Sequence, residues 1–394
     1  MERISRRGPL SFAEYVELAL YDAATGFFGR GGGAGREGHF LTSPEVGPLF
    51  AAVVARAVDR WWEELGRPDP FVVIEAGAGR GTLAGGVLAA RPACAPALRY
   101  VLVERSEALR ARQCERLALE SPAGVLGPVG GDDDGDPSPQ PGAGPMVTSL
   151  ADLPAAPVTG VVLANELLDN LPFSLLERSA EGWGEVRVGL EGGRLVEMLV
   201  PAPPALAAEA DRLAPAAPAG GRVPLQREAS RWLRRALSRV ERGCVVVIDY
   251  ADVTASLARR PWTEWVRTYV AHARGAHPLD RAGEQDVTCE VAVDQLARVR
   301  RPDRDRSQAE FLADHGIAEL VGEARQAWHA RAAAPDLEAL RHRSRVAEAS
   351  ALTDPAGLGG FRVLEWDVGR RRSGRSAGAD GQGSSRAAPG VLAP

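Results

Sequence analysis

The sequence predicts an α/β protein built on a mostly parallel twisted sheet with helices on both faces. Three observations point there. Phe71-Val72-Val73-Ile74, Tyr100-Val101-Leu102-Val103, Gly160-Val161-Val162-Leu163-Ala164 and Cys244-Val245-Val246-Val247-Ile248 are apolar runs that do not alternate with polar residues, as strands covered on both faces do not. Segments of helical period lie between them. Each run ends at an acidic or amide side chain, namely Glu75, Glu104, Asn165 with Glu166, and Asp249. In an open parallel sheet, ligands gather at that end of the strands.

Residues 10–21 read as a short amphipathic helix capped by Ser11, and Gly26 to Gly38 as a loop. After Thr42-Ser43-Pro44-Glu45, the apolar positions Val46, Leu49, Phe50, Val53, Val54, Ala57, Val58, Trp61 and Leu65 mark a helix with one buried stripe. Residues 121–145, with Asp132-Asp133-Asp134 among Pro and Gly, read as a poorly ordered insertion. Alternation over 173–200 around Glu191-Gly192-Gly193 predicts antiparallel strands. A Pro/Ala-rich linker follows at 201–220, then a helix near 225–240. Residues 307–349 are mostly helical, 361–366 form a last strand, and the tail from Gly369 is disordered.

The organisation expected is therefore an N-terminal helical segment (1–66), a ligand-binding core (67–172), an antiparallel and helical insertion (173–242), the rest of the sheet with a helical region (243–368), and the tail (369–394). The formal charge is −5, with 47 basic against 52 acidic side chains. Mild acidity argues against broad nucleic-acid binding, which relies on many cations. No lysine occurs, which removes Schiff-base chemistry and a P-loop lysine. Cys94, Cys114, Cys244 and Cys289 are widely spaced, and His272 and His277 stand without other ligands, so no metal is expected. No apolar run reaches the roughly 18 residues of a membrane span, and the N-terminus lacks a signal-type core, so a cytoplasmic location is expected. An exposed apolar surface would support a homodimer, though no segment stands out as one.

Glu75-Ala76-Gly77-Ala78-Gly79-Arg80-Gly81 joins the first strand to a helix. A dinucleotide fingerprint, G-x-G-x-x-G/A, would require Gly or Ala where Thr82 stands. The spacing fits the acidic-x-G-x-G-x-G of class I S-adenosylmethionine methyltransferases, whose acidic residue stands near the ligand's ammonium. Glu104, one strand further on, has the chemistry to hold both ribose hydroxyls through charge-assisted bonds. A plain strand–helix turn is the other account of the glycines. Together with Glu104 they favour a nucleoside-type ligand, and leave S-adenosylmethionine and a nicotinamide dinucleotide both open.

A wider set of motifs narrows the choice. Ser11-Phe12-Ala13-Glu14-Tyr15 and Leu20-Tyr21, Phe40-Leu41-Thr42-Ser43-Pro44-Glu45, the glycine loop through Leu83, and Val103-Glu104-Arg105-Ser106 occur in order. Asn165-Glu166-Leu167-Leu168-Asp169-Asn170-Leu171-Pro172, Ile248-Asp249-Tyr250, His277-Pro278-Leu279, Gly283-Glu284-Gln285-Asp286-Val287-Thr288, Gln308-Ala309-Glu310-Phe311-Leu312 and Phe361-Arg362-Val363-Leu364 follow. Over roughly 10–366 the chain resembles the MidA family of S-adenosylmethionine-dependent methyltransferases, which includes a mitochondrial assembly factor that methylates an arginine. It departs from that pattern in Ala76-Gly77-Ala78-Gly79 for Leu-Gly-Pro-Gly, in Ala251 for Gly, and in Glu290 and Ala292 where the family carries His and Asp.

The resemblance implies a class I methyltransferase (Rossmann-like) sheet with S-adenosylmethionine as cofactor and a protein arginine as acceptor. Glu75, Gly77, Gly79, Gly81, Glu104 and Asn165 would bind the cofactor. Glu166 and Asp169 would grip the acceptor guanidinium, which is always protonated and needs carboxylates. Thr42, Ser43 and Glu45 would close over the cofactor site, and Gln285 and Asp286 would face the substrate. Local physics offers other roles. Asn165 would cap a following helix whose first turn favours Glu166 and Asp169, and Thr42 with Glu45 would form a capping box. Two other functions stay open. One is a cofactor-binding assembly factor that docks a partner with little turnover, and the other a nucleotide-cofactor oxidoreductase.

Overall fold

The computed structural model describes residues 2–32, 42–127, 140–270, 273–333 and 336–369. Part of the 26–38 loop, residues 128–139 of the 121–145 insertion, Phe40-Leu41, His272 and the tail beyond 369 lie outside them.

The central sheet contains β1 (Phe71–Ala76), β2 (Leu98–Val103), β3 (Met146–Leu150), β4 (Val158–Asn165), β5 (Val240–Asp249), β6 (Arg304–Ser307) and β7 (Arg362–Val368). Its order is β3-β2-β1-β4-β5-β7-β6. Neighbours from β3 to β5 pair in parallel, and β7 is antiparallel to both β5 and β6. Ala76 pairs with Val103 and Ala164, and Ala164 with Val247, so four strand ends come out level. The loops that follow them therefore share one edge of the sheet.

Side chains along each strand alternate between two buried faces. Val73, Tyr100, Leu102, Val161, Leu163 and Val246 pack with the helices Pro48–Glu64 and Thr82–Ala89. Val72, Ile74, Val101, Val162, Val245 and Val247 pack with the helix Arg227–Ser238. Cover on both faces is why the runs are continuously apolar, each such side chain contributing roughly 1.5–3 kcal/mol.

The 173–242 segment builds a separate antiparallel sheet. Gly182–Glu191 and Arg194–Pro201 form a hairpin, in which Gly192 (φ +54°) and Gly193 (φ +78°) supply the positive φ of a tight turn. Ser174–Ser179 and Arg222–Leu225 extend it, and Leu10–Ser11 joins at Val188 and Arg187. The helix Phe12–Tyr21, with a Ser11–Glu14 capping box, buries Phe12, Tyr15, Val16 and Leu20 against Phe173, Leu175 and Val186. Further on, Val266–Val270 pairs with Ala273–Arg274 and Asp286–Cys289. The helices Gln308–Asp314, Ile317–Arg331 and Leu337–Thr353 account for the helical reading of 307–349.

One reading is corrected, and two strands are added. The 201–220 linker contains the helix Pro204–Leu213, which starts on Pro at no hydrogen-bond cost and buries Leu206, Ala210 and Leu213. β6, Arg-Asp-Arg-Ser, carries no apolar signal because it is a charged edge strand. Its Arg304 and Arg306 pair with Glu365, and its Asp305 with Arg362. β3 is a short strand at the other edge, directly after the insertion. Among the described residues, no helix is long and apolar enough to cross a membrane.

Candidate active site

The glycine loop is held by the two strands beside it. The N–H groups of Gly77 and Ala78 donate to the Val103 carbonyl at 2.8 and 3.1 Å. Gly79 N–H donates to Glu104 Oε2 at 3.0 Å, and Ser106 N–H donates to Glu104 Oε1 at 2.8 Å. The Gln113 amide donates to the Gly79 carbonyl at 2.8 Å and accepts from the Ser149 hydroxyl on β3 at 2.5 Å. Gly79 has φ +53°, and a Cβ placed there meets no protein atom within 4 Å. It faces a cavity of about 840 Å³ lined by Glu75, Gly77, Gly79, Glu104, Asp152 and Asn165 among others.

These residues fit S-adenosylmethionine. Asn165 Oδ1 is buried on the cavity wall without a hydrogen-bond partner, an acceptor suited to an ammonium. Each Glu104 oxygen accepts one N–H and retains a lone pair for a ribose hydroxyl. Burial raises the Glu104 carboxyl against the lowering effect of those N–H groups. Glu75 accepts from the Tyr100 hydroxyl at 2.7 Å, and burial pushes it up to about 7. A cation brought into the cavity would favour its ionised form. Gly81, at φ +76°, begins the helix and points toward Leu117 rather than into open space.

The turn leaving β4 sorts its side chains. Asn165, Leu167 and Asn170 line the cavity, whereas Glu166 and Asp169 do not. Glu166 adopts φ +51°, a conformation that costs a non-glycine residue about 1–3 kcal/mol and collects at functional sites. Its N–H donates to the Ile248 carbonyl, and its Oε1 accepts from Ser43 N–H at 2.9 Å and Asn165 Nδ2 at 3.1 Å. Asp249 Oδ2 accepts the N–H groups of Leu168 and Asp169 at 3.0 and 3.3 Å. Asp286 Oδ1 accepts from Asn170 Nδ2 at 2.8 Å. Asp286 Oδ2 is buried without a partner, and the Tyr250 hydroxyl lies beside the Asp169 carboxylate, where it lowers the Asp169 pKa against the effect of burial.

Burial is the first cause of a raised pKa in all four carboxylates. It pushes Glu166 up to about 8, with the nearby Asp169 adding to the rise. Asp169, Asp249 and Asp286 also stand above the usual carboxylate range, and the Asp169 charge pushes Asp249 and Asp286 further. Carboxylates packed this way resist ionising together, and a cation placed among them reverses the preference.

Several local readings are corrected by tertiary contacts. Thr42 makes no side-chain cap bond, and Glu45 Oε1 instead accepts from Thr82 Oγ1 at 2.8 Å. Thr42 and Glu45 line the cavity, while Ser43 is fully buried, its hydroxyl donating to Gln308 Oε1 at 3.0 Å. No helix follows Asn165 for it to cap, only the single 3-10 turn Leu168–Asn170. Gln285 does not face a substrate. It is fully buried, and its amide donates to the carbonyls of His277 and Asp280 at 2.9 and 2.6 Å, clamping that loop. Glu290 pairs with Arg260, and Ala292 is buried with its N–H on Gln226, so neither lines the cavity.

The structure adds residues that the sequence did not single out for the site. In the sequence, Tyr100 reads only as part of a strand, and Thr82 only as the residue that breaks a dinucleotide fingerprint. Asp249 and Tyr250 were visible as a strand end but received no role. Asp152 follows β3, and without that strand its position at the sheet edge could not be read. Among the described residues, no group of three or more His, Cys, Asp or Glu side chains forms a metal-holding cluster.

A family model for S-adenosyl-L-methionine-dependent methyltransferases matches residues 53–309. The human mitochondrial protein arginine methyltransferase NDUFAF7 is 30% identical over 204 residues, covering 48% of this chain and 44% of that protein. Its Drosophila melanogaster homolog is 40% identical over 86 residues, covering 22% and 20%. The chain thus spans less than half the length of these curated relatives. A Burkholderia thailandensis protein crystallised with S-adenosyl-homocysteine matches with a TM-score of 0.75 at 26% identity, over 93% of this chain and 90% of that one. That bound product agrees with the cofactor which the Gly79–Glu104 cavity fits. The chain belongs to the S-adenosyl-L-methionine-dependent methyltransferase family.

Proposed function

We propose that the chain transfers a methyl group from S-adenosylmethionine to an arginine side chain of a protein. The carrying observation is the 165–170 turn, which lines the cofactor cavity with Asn165 and Asn170 and carries Glu166 and Asp169 toward Asp249 and Asp286. A guanidinium has five N–H donors and a fixed positive charge, and so meets unpartnered carboxylate oxygens well. The names of the human and fly relatives support arginine as the acceptor.

Bound S-adenosylmethionine supplies a methyl already activated on a sulfonium. Glu104 and Asn165 orient its nucleoside and amino-acid ends, while Glu166 and Asp169 hold the acceptor nitrogen in line. As the nitrogen–carbon bond forms and the methyl–sulfur bond breaks with its electron pair left on sulfur, that nitrogen gives up one proton, which Glu166 or Asp169 accepts once the bound guanidinium has favoured its ionised form. Burial, which disfavours their charged forms, suits both carboxylates to keep it.

Because neither Glu166 nor Asp169 lines the cavity, a docking role with little turnover is the second reading. Radiolabelled cofactor, added with purified protein to an extract lacking the gene, separates the two. A labelled protein band with wild type and not with Glu166→Gln, yielding methylarginine on hydrolysis, supports catalysis. Label in another amino acid moves the acceptor, and no label with cofactor binding intact favours docking.

A further inference from the structure

We infer that the turn Ser43–Val46 is a positioning strap, in which the Glu45–Thr82 hydrogen bond fixes where the Ser43 N–H holds Glu166. The inference rests on the reading of Glu166 as an acceptor-side carboxylate.

Thr82 is the first residue of the helix that follows the glycine loop, and its hydroxyl donates to Glu45 Oε1 at 2.8 Å. Ser43 and Glu45 occupy one four-residue helical turn, so they move together. Ser43 N–H and Asn165 Nδ2 converge on the same oxygen of Glu166, at 2.9 and 3.1 Å, which sets the direction of the other oxygen. Because Glu166 sits at φ +51°, its orientation depends on such tethers rather than on a relaxed backbone. The far side of the strap is fixed as well. The Ser43 hydroxyl donates to Gln308 Oε1, and the Gln308 amide donates to the Leu352 carbonyl at 3.2 Å. Two hydrogen bonds, joined by the covalent turn from Ser43 to Glu45, thus link the start of the helix Thr82–Ala89 to the Glu166 carboxylate. A direct cofactor contact by Glu45 or Thr82, which both line the cavity, is the competing role.

The test compares Thr82→Val, which keeps the branched shape and removes the donor, with Thr82→Ser, which keeps the donor. In cofactor-free protein, hydrogen exchange at the amides of Ser43, Glu45 and Val46 should rise about tenfold in Thr82→Val and return toward wild type in Thr82→Ser. Turnover should show kcat falling about tenfold in Thr82→Val with cofactor affinity changed less than about threefold. Unchanged strap exchange in a folded Thr82→Val protein overturns the inference. So does cofactor affinity that falls as far as kcat, which would make the pair a cofactor contact. Wild type without methyl transfer defeats the underlying reading of Glu166, while the exchange measurement still judges the pin. Glu45→Ala, which removes the acceptor from the other side, replaces Thr82→Val if that variant fails to fold.

Discussion

Gly79 N–H donates to Glu104 Oε2 at 3.0 Å, and this bond joins the loop after β1 to the end of β2. The two strand ends that would hold the cofactor therefore form one unit before any ligand arrives. A preformed site spends little of its binding energy on ordering.

Gly79→Val should weaken S-adenosylmethionine binding at least about a hundredfold. The new side chain would project into the open cavity, at a positive φ that itself costs about 1–2 kcal/mol. Calorimetry on a variant shown to be folded by circular dichroism checks this. Near-normal affinity would mean that the loop is only a turn.

Glu104→Gln should lower cofactor affinity roughly tenfold and also reduce the melting temperature. One carboxylate oxygen becomes an NH₂ group facing a backbone donor, either Gly79 or Ser106. Hydrogen bonds to a charged group are worth about 1.5–3 kcal/mol. Loss of affinity without any change in melting would confine Glu104 to ligand contact.

The cofactor-free protein should lose stability as the solution becomes alkaline. Glu166 and Glu75 are raised to about 8 and about 7, and Asp169, Asp249 and Asp286 are raised as well. A raised carboxyl binds its proton more tightly folded than unfolded. Its contribution is complete below the unfolded value near 4.5 for Glu and fades as pH climbs through the folded value. Between pH 5 and pH 9 the melting temperature should drop on the order of 5 °C, and Glu166→Gln should flatten that slope. A melting temperature that rises over this range would contradict the carboxylate cluster.

Glu348→Ala should cost about 1–2 kcal/mol of stability. The helix Pro48–Glu64 begins after Gly47, which has no side chain to cap it. Glu348, from the helix Leu337–Thr353, supplies the cap by accepting Leu49 N–H at 3.0 Å and is itself held by the Ser344 hydroxyl at 2.9 Å. A fall of a few degrees in thermal denaturation is expected, and no fall would show that water replaces the carboxylate without loss.

Much of the scaffold was legible because its physics is local. A strand covered on both faces has to be apolar at every position, so β1, β2, β4 and β5 announce themselves, and Gly192-Gly193 marks its own hairpin. β6 escaped notice because an edge strand stabilised by Arg–carboxylate pairs has the composition of a loop. Pro203 and Pro204 looked like linker residues, although Pro in the first turn is an ordinary helix start.

The site divides along the same line. The places of Glu75, Gly77, Gly79, Glu104 and Asn165 along the cavity follow directly from strand ends and spacing, since the sheet brings level whatever follows its parallel strands, whereas Gly81 packs toward Leu117. Partner choice does not follow. Glu45 was four-square with Thr42 for a capping box, yet it bonds Thr82, 37 residues away. Gln285 had the composition of a substrate contact, but packing turned it inward onto the carbonyls of its own loop. The sequence by itself determined the four central parallel strands, the edge at which they end and the identity of the acidic turn. Only the tertiary structure decided that Glu166, Asp169, Asp249 and Asp286 share one buried place, because their proximity depends on how distant segments pack and leaves no periodic trace along the chain.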